Sequence, residues 1–287
     1  MKKLLIIALT SLTALTACNG NKEVKEEPIN EAKKIVSLNG TLTEIVYALN
    51  QGDQLVAVDV TSTYPEAATK LTNLGHTNAA TAESILGAEP TDVIGFEDEV
   101  KPQLVEQLTS AGVHVQLFKR EYSVDGTKKV ISDVAKWLGK QGEGEKLQTA
   151  IDTDIKNLKK LEKQPSVLFV YARGAGMMMV AGDDTPLKSM IELAGGKNAV
   201  GGFEQYKPLT PEAVIDANPD LLLMFESGAN SLNGEQGIME IPGFKLTTAG
   251  KKKNVVSMDG QLLSGFGPRV GKALLELNAK LLEISKQ

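Results

Sequence analysis

The sequence predicts an α/β protein of two lobes joined by one long helix. Three observations lead to this prediction. Short β-branched runs alternate with amphipathic stretches, as in parallel sheets covered by helices on both faces. A continuous helical periodicity divides the chain near its middle, and a similar segment recurs in both halves. The expected fold class is therefore α/β, with two Rossmann-like lobes bridged by one long rigid helix.

The first lobe is expected over residues 34–142, where strand-like and helix-like segments alternate. Because a helix follows each strand, the strands should run parallel in a doubly wound sheet. Trp137 is expected to pack its helix onto that sheet. The predicted strands are 35–39, 55–60, 92–96 and 114–118, and the predicted helices lie near 41–49, 81–88, 101–111 and 123–140.

A long helix is predicted over residues 143–163, which contain no proline and only Gly144 as a glycine. Leucine and isoleucine recur there at spacings of three and four, the period of one helix face. A helix of this length would span roughly 32 Å. The alternation then resumes in a second lobe, 164–287, with predicted strands at 166–172, 221–225 and 254–258 and a last helix near 268–286.

The two halves share a segment at an offset of 129 residues, in which T-A-E-S-I-L-G-A-E-P-T-D (81–92) matches T-P-E-A-V-I-D-A-N-P-D-L (210–221). Each copy starts with a threonine suited to cap a helix, has an acid two residues later, and ends before a proline and a buried strand. The repeat predicts that the two lobes are related.

The N-terminus predicts export and a lipid anchor. Lys2 and Lys3 precede an apolar run too short to span a membrane, so 1–17 reads as a signal peptide. The L-T-A-C sequence resembles the lipobox of bacterial lipoproteins, which implies acylation of Cys18; the alternative is a secreted protein with one free thiol. Residues 18–33 would form a flexible tether. The expected location is extracytoplasmic, anchored to the membrane by lipid.

Composition argues against several other classes. A net charge of −5 leaves no basic surface for nucleic acid. One cysteine and two histidines provide neither a cluster site nor a zinc site, and no G-x-S-x-G motif is present. No catalytic residue or catalytic cofactor is therefore predicted, and the protein is not expected to be an enzyme.

Over residues 34–287 the chain resembles the substrate-binding proteins of ABC importers for iron chelates, haem and cobalamin. Three runs resemble the haem-binding branch: V-D-V-T-S-T-Y-P-E-A-A-T-K-L-T-N-L-G (58–75), Y-A-R-G-A-G-M-M-M-V-A-G (171–182) and L-L-S-G-F-G-P-R (262–269). The resemblance implies a monomer that captures haem b between its lobes. It also implies delivery of the haem to a permease dimer with its ATPase.

The same resemblance implies that Tyr64 is the axial ligand of ferric haem, the only metal expected in the site. A phenolate is a hard anionic donor suited to Fe(III), and Pro65 would fix the turn behind it. The alternative is a half-exposed loop tyrosine. Further residues expected in the haem pocket are Gly40, His76, Arg173, Met178 and Phe266.

In this family an exposed glutamate on each lobe meets an arginine pocket of the permease, which here implies Glu83 and Glu212. The alternative is that both acids only stabilise their helix N-termini. One departure concerns the turn after 221–225, where some haem-binding relatives carry an arginine that hydrogen-bonds the tyrosine. Glu226 stands here instead.

Alternatives to haem import remain at this point. Cobalamin or a ferric siderophore could be the cargo, although the chain has only three arginines to meet an anionic siderophore. A surface lipoprotein that relays haem without a transporter is a further possibility.

Overall fold

Two β-sheets, one in each half of the chain, organise residues 33–286, the part of the protein that the computed structural model describes. The predicted signal peptide, Cys18 and nearly all of the predicted tether lie outside the described residues. The strands of the first sheet are β1 (Ile35–Ser37), β2 (Leu55–Val58), β3 (Thr72–Asn73), β4 (Asp92–Phe96) and β5 (His114–Phe118). Those of the second are β6 (Ser166–Ala172), β7 (Met178–Ala181), β8 (Lys197–Asn198), β9 (Tyr206–Pro208), β10 (Leu221–Phe225) and β11 (Val255–Met258).

The helices follow the strands closely. They are α1 (Gly40–Ala48), α2 (Ala82–Leu86), α3 (Pro102–Ser110), α4 (Val124–Trp137), α5 (Gln141–Lys156), α6 (Pro186–Leu193), α7 (Pro211–Ala217), α8 (Glu226–Ser231), α9 (Glu235–Met239), α10 (Thr248–Lys252), α11 (Gly260–Ser264) and α12 (Val270–Ser285). Short 3-10 turns lie at Gly52–Gln54, Glu66–Lys70, Thr77–Ala79 and Phe244–Leu246.

The first sheet is parallel throughout, in the order β3-β2-β1-β4-β5. Its central strands β1 and β4 are buried along their whole length, as expected for strands covered on both faces. Helices lie on both sides of this sheet, so the predicted doubly wound first lobe is confirmed.

The second sheet has the order β11-β10-β6-β7-β9, and β8 pairs with the start of β6. Strands β6, β10 and β11 are parallel, as predicted. However, β7 runs antiparallel to β6, and β9 runs antiparallel to β7. These antiparallel pairings were not predicted from the sequence. The physical reason is the tight turn at residues 173–177, where the amide of Arg173 donates to the carbonyl of Met177 and Gly174 has a φ of +73°.

Helix α5 connects the lobes and packs against α4 of the first lobe and α12 of the second. It ends at Lys156, not at the predicted residue 163. The side chain of Asn278 on α12 explains the early end, because it binds both the amide and the carbonyl of Lys159, each at 2.9 Å. Leu158 and Leu161 still pack on the core, so their spacing reflected burial rather than helix.

Trp137 ends α4 and lies edge-on to Phe118 of β5, with ring centroids 6.3 Å apart. Its helix is thereby fixed on the first sheet, as predicted from the sequence. Among residues 33–286, no helix has both the length and the apolar character needed to cross a membrane.

The internal repeat occupies corresponding places in the two lobes. The hydroxyl oxygen of Thr81 accepts from the amide of Ser84 at the start of α2. Thr210 accepts in the same way from Ala213 at the start of α7. The strands that follow, β4 and β10, each lie beside the first strand of their lobe, β1 and β6.

Candidate functional site

A cavity of about 1170 Å³ lies where strands of both sheets end. This placement is expected, because ligands of open α/β sheets bind beyond the carboxyl ends of the strands. The first lobe contributes Asn39, Gly40, Thr41, Thr61, Thr63, Asp98, Glu99, Arg120 and Tyr122. The second contributes Tyr171, Met179, Asp184, Thr185, Pro186, Gln205, Tyr206, Phe225, Glu226, Ser227, Asn230, Asp259, Gly260, Gln261, Ser264 and Gly265.

The turn that leads to Tyr64 is shaped by Asp59, which is 2% exposed. Its carboxylate accepts from the amide of Thr61 at 3.0 Å, from the hydroxyl of Thr61 at 2.6 Å and from the hydroxyl of Ser62 at 2.8 Å. The hydroxyl oxygen of Thr61 accepts in turn from the amide of Gly40 at 2.9 Å. The sequence D-V-T-S-T therefore folds back on its own aspartate and fixes where the following residues start.

Gln261 of the second lobe holds the next part of this loop. Its side-chain oxygen accepts from the amide of Thr63 at 3.0 Å, from the hydroxyl of Thr63 at 2.9 Å and from the amide of Tyr64 at 3.0 Å. Its side-chain nitrogen donates to the carbonyl of Gly40 at 2.8 Å and to Glu44 at 3.1 Å. One glutamine thus ties the Tyr64 loop and the start of α1 to the opposite lobe.

Tyr64 follows Thr63, a lining residue, but is not itself among the residues that line the cavity, and it is 44% exposed. The Tyr64–Pro65 peptide bond is cis. The guanidinium carbon of Arg269 lies 3.6 Å from the centroid of the Tyr64 ring. Arg269 is the residue at the end of the L-L-S-G-F-G-P-R run, so a cation does adjoin this tyrosine although the turn after β10 has none.

Glu44 fixes Arg269. The carboxylate of Glu44, which is 4% exposed, accepts from Nε and Nη2 of Arg269 at 2.8 Å each. Burial opposes the charge on Arg269, but the hydrogen bond and charge of Glu44 outweigh it and raise the pKa of the guanidinium. The three residues form a stack in which the carboxylate holds the edge of the guanidinium and the phenol covers its face.

Arg120, in the wall of the first lobe, is surrounded by acids and aromatic rings. It pairs with Asp98 at 2.8 Å and with Glu99 at 2.9 Å, and its guanidinium lies over the rings of Phe96 and Tyr122. Burial opposes its charge, yet the neighbouring acids raise the pKa of Arg120. The cation of this wall is therefore already neutralised by the protein.

Aromatic side chains line both walls. Tyr122 and Tyr171 face the cavity from opposite lobes, and Phe225 meets Tyr171 edge-on with ring centroids 6.2 Å apart. Burial, followed by the neighbouring Tyr122 and Tyr171, raises the pKa of Tyr206 to about 12. Such rings suit the faces of a flat, largely apolar ligand.

The structure brings some of the expected pocket residues to the cleft and not others. Gly40 lines the cavity. Exposed His76 lines an adjoining hollow of about 350 Å³ that shares Asn39 and Thr61 with it. Arg173 is exposed and covers the ring of Tyr171 from outside the lining set.

Two other expected pocket residues stand behind the wall. Strand alternation leaves Met179, rather than Met178, in the lining. Phe266 is 5% exposed and packs against Tyr122 with ring centroids 5.5 Å apart. A part in binding stays a prediction for these residues, as it does for Tyr64.

Glu83 and Glu212 occupy equivalent, exposed positions in the first turns of α2 and α7. Sequence reasoning did not foresee Gln261, Glu44 and Arg120 as site residues. Gln261 and Arg269 lie about 200 residues from the loop they hold, and no local pattern signals such a contact. The only signal was their position in the turn that leaves the last strand.

The family model described as periplasmic binding protein matches residues 35–262, and the chain belongs to this family. Among solved structures, it is similar to the periplasmic heme-binding protein RhuT from Roseiflexus sp. RS-1 in apo form. The TM-score is 0.84 at 38% identity, over 88% of this chain and 99% of that one.

Among curated proteins, the chain is 27% identical to the uncharacterized ABC transporter substrate-binding lipoprotein YvrC of Bacillus subtilis (strain 168), over 91% of this chain and 82% of that one. It is 25% identical to a cobalamin-binding protein of Halobacterium salinarum, over 84% of this chain and 67% of that one. The family consists of extracytoplasmic substrate-binding transport proteins that work with ABC permeases. This chain is accordingly the substrate-binding component of an ABC importer of the haem, vitamin B12 and siderophore class.

Proposed function

We propose that this protein captures haem b as ferric protoporphyrin in the cleft between its lobes, with Tyr64 as the iron ligand, and delivers it to an ABC permease dimer. The single observation that carries the proposal is the setting of Tyr64. Tyr64 directly follows Thr63, which lines the cavity, and its backbone amide is bound by Gln261 while its ring is covered by Arg269.

The chemistry of this setting suits ferric iron. A phenolate is a hard anionic donor that suits Fe(III). The guanidinium of Arg269 lies over the Tyr64 ring, 3.6 Å from its centroid. The heme-binding relative at 38% identity supports haem as the cargo.

The size and walls of the cleft support a macrocycle. Its volume of about 1170 Å³ is slightly above the usual range of small-molecule sites, about 300–1,000 Å³. Tyr122 and Phe225 offer ring surfaces from the two lobes for the porphyrin faces. Because the lining acids would repel carboxylates, we expect the haem propionates to point out of the cleft toward solvent.

Anchoring and delivery complete the proposal. Acylated Cys18 would hold the protein at the membrane, with residues 18–33 as its tether. Glu83 and Glu212, at matching positions on two related lobes, offer two equivalent acidic points to a two-fold permease. The protein would act as a monomer, because its cleft draws both walls from one chain.

The test is to titrate ferric haem into the full chain in detergent and record its absorption spectrum. Wild type should show the charge-transfer band of phenolate-bound ferric haem. Tyr64→Phe should lose this band and bind about a hundredfold more weakly, roughly 2.7 kcal/mol. The matched control is Tyr47→Phe, because Tyr47 lies on α1 of the same lobe and packs against the hydrophobic core. An unchanged spectrum in Tyr64→Phe would remove Tyr64 from the site.

A second candidate cargo is a corrinoid, and the charge of the cleft favours it. Asp98, Glu99, Asp184, Glu226 and Asp259 line the cavity, whereas Arg120 is the only basic residue among the lining residues described. The amide side chains of a corrinoid can donate hydrogen bonds to such acids, and haem propionates cannot. The cobalamin-binding relative supports the same candidate.

A competition experiment separates the two cargoes. The full chain is equilibrated with equal amounts of ferric haem and cyanocobalamin, and the bound ligand is read from its spectrum. Haem in excess supports the first proposal. A corrinoid spectrum that is insensitive to Tyr64→Phe would replace it with the second.

A further inference from the structure

We propose that Arg269 of the second lobe is a positioning residue that holds the Tyr64 ring in its iron-ligating orientation. In this arrangement Glu44 fixes Arg269, and Gln261 fixes the backbone of the tyrosine loop. This inference rests on the proposed function of Tyr64. It adds that the ligand supplied by one lobe is oriented by the other.

The geometry of Arg269 uses both of its surfaces. Its edge donates two parallel hydrogen bonds to Glu44, and its flat face lies 3.6 Å from the ring centroid of Tyr64. A planar guanidinium can bind a carboxylate at its edge and stack on an aromatic ring at its face, since the two contacts do not compete. A lysine ammonium offers no such flat face.

The supporting contacts are buried, which makes the arrangement rigid. Glu44 is 4% exposed on α1 of the first lobe, and the side chain of Arg269 is 17% exposed. Behind Glu44, the hydroxyl of Thr41 donates to the carbonyl of Gly265 at 2.6 Å. Residues of the turn between β11 and α12 therefore contact α1 at several points, and Arg269 of this turn also covers the Tyr64 ring.

Tyr64 needs this support because little else holds its ring. Its side chain is 44% exposed, and its contact with Arg269 is the ring contact described for it. Gln261 fixes the backbone amides of Thr63 and Tyr64 but leaves the phenol free to rotate about its side-chain bonds. Stacking on Arg269 restricts that rotation, so that less ordering remains when the iron binds.

The test compares Arg269→Met with Arg269→Lys in the full chain loaded with ferric haem. We measure the phenolate charge-transfer band and the rate of haem loss to apomyoglobin. Arg269→Met should lose most of the band and release haem about tenfold faster. Arg269→Lys should recover less than half of the lost band, because it keeps the charge but not the flat face.

The matched control is Lys272→Met, which removes an exposed positive charge one turn further along the same region of α12. It should leave both readouts unchanged. If Arg269→Met keeps the wild-type band and releases haem within about twofold of wild type, Arg269 has only a structural role and the proposal is overturned. Full recovery of the band by Arg269→Lys would also overturn it.

Two further measurements keep the outcome interpretable. If Arg269→Met does not fold, Arg269→Gln replaces it, because the amide keeps a donor for Glu44 but neither the charge nor the guanidinium face, and the same loss of the band is expected. Wild type and Tyr64→Phe are recorded first. If wild type shows no phenolate band, the proposed function itself fails and this inference falls with it. If the band depends on Tyr64 but not on Arg269, only this inference fails.

Discussion

The two lobes share three parallel strands in the same order but differ in the strands added on one side of them. Strands β1, β4 and β5 of the first sheet correspond in order and direction to β6, β10 and β11 of the second. On the other side of the first strand, the first lobe adds parallel β2 and β3, whereas the second adds antiparallel β7 and β9.

This difference assigns different tasks to the lobes. Because β2 is parallel to β1, its exit brings the Tyr64 loop to the cleft margin. In the second lobe β7 returns from a hairpin, and Met179 and Tyr206 come to the wall instead. Two related lobes therefore form an asymmetric cleft, in which the first lobe contributes the Tyr64 loop and the second holds that loop through Gln261 and Arg269.

The largest loss of unfolding free energy should come from breaking the Arg269–Glu44 ion pair, which joins the two lobes. Glu44→Ala leaves a largely buried guanidinium without its partner and should cost about 3–5 kcal/mol of unfolding free energy, measured by urea denaturation. Glu240→Ala, which breaks an exposed ion pair with Lys245, is the control and should cost less than about 1 kcal/mol. Equal losses in both variants would show that the tie between lobes adds no stability.

The main pH effect should come from Tyr206 of the second lobe, while burial also raises the pKa of Tyr47 and Tyr122 in the first lobe. Burial raises the pKa of Tyr206 to about 12 from an ordinary value of 10.0, so between these pH values the folded chain keeps a proton that the unfolded chain loses. Its contribution is complete below pH 10 and is lost as pH rises toward 12, by about 2–3 kcal/mol. The check is urea denaturation across this range. Tyr206→Phe should fall less steeply than wild type, and parallel curves would contradict the assignment.

In the first lobe, a comparable stability test uses the close approach of α1 to the Tyr64 loop. A Cβ at Gly40 would overlap the carbonyl of Thr61. Gly40→Ala should therefore cost about 1–3 kcal/mol and shift the haem spectrum along with the loop. Gly142→Ala, on α5 with open space around it, is the matched control and should stabilise by about 0.5–1 kcal/mol. A neutral Gly40→Ala would mean that the loop moves freely.

The smallest effect on stability should come from the repeated acids. Glu83→Gln and Glu212→Gln each remove a favourable charge from a helix N-terminus and should cost about 0.3–1 kcal/mol. Ligand binding should be unchanged, while uptake through the permease in cells should fall in both. If uptake falls in only one of the two variants, the two glutamates do not play equivalent roles in docking to the permease.

Much of the fold could be predicted because its signals are local. Strands β4, β5, β6 and β10 matched their predicted bounds residue for residue. For β4, β6 and β10 the signal is burial, because a strand covered on both faces is mostly apolar. The reversal of β7 and the end of α5 at Lys156 were missed. Both depend on tertiary partners, a tight hairpin in one case and Asn278 in the other.

The site residues also divide into those with a local sequence signal and those brought together only by folding. Tyr64 was proposed from a contiguous run that ends a strand, and the repeated glutamates from a pattern that occurs twice. The clamp on Tyr64 was not foreseen, because Gln261 and Glu44 are joined to each other only by folding. Glutamine and glutamate are common on any protein surface. Only the positions of Gln261 and Glu44 in the folded chain make them part of a site.

The place of Trp137, edge-on to Phe118 at the end of β5, has a practical consequence. It is the sole tryptophan of the chain, and it stands close to the strand end from which Arg120 enters the cleft. Haem and corrinoids both absorb where indole emits, so arrival of either cargo should dim the protein's own fluorescence. The intrinsic fluorescence of Trp137 should therefore report ligand binding without an added label.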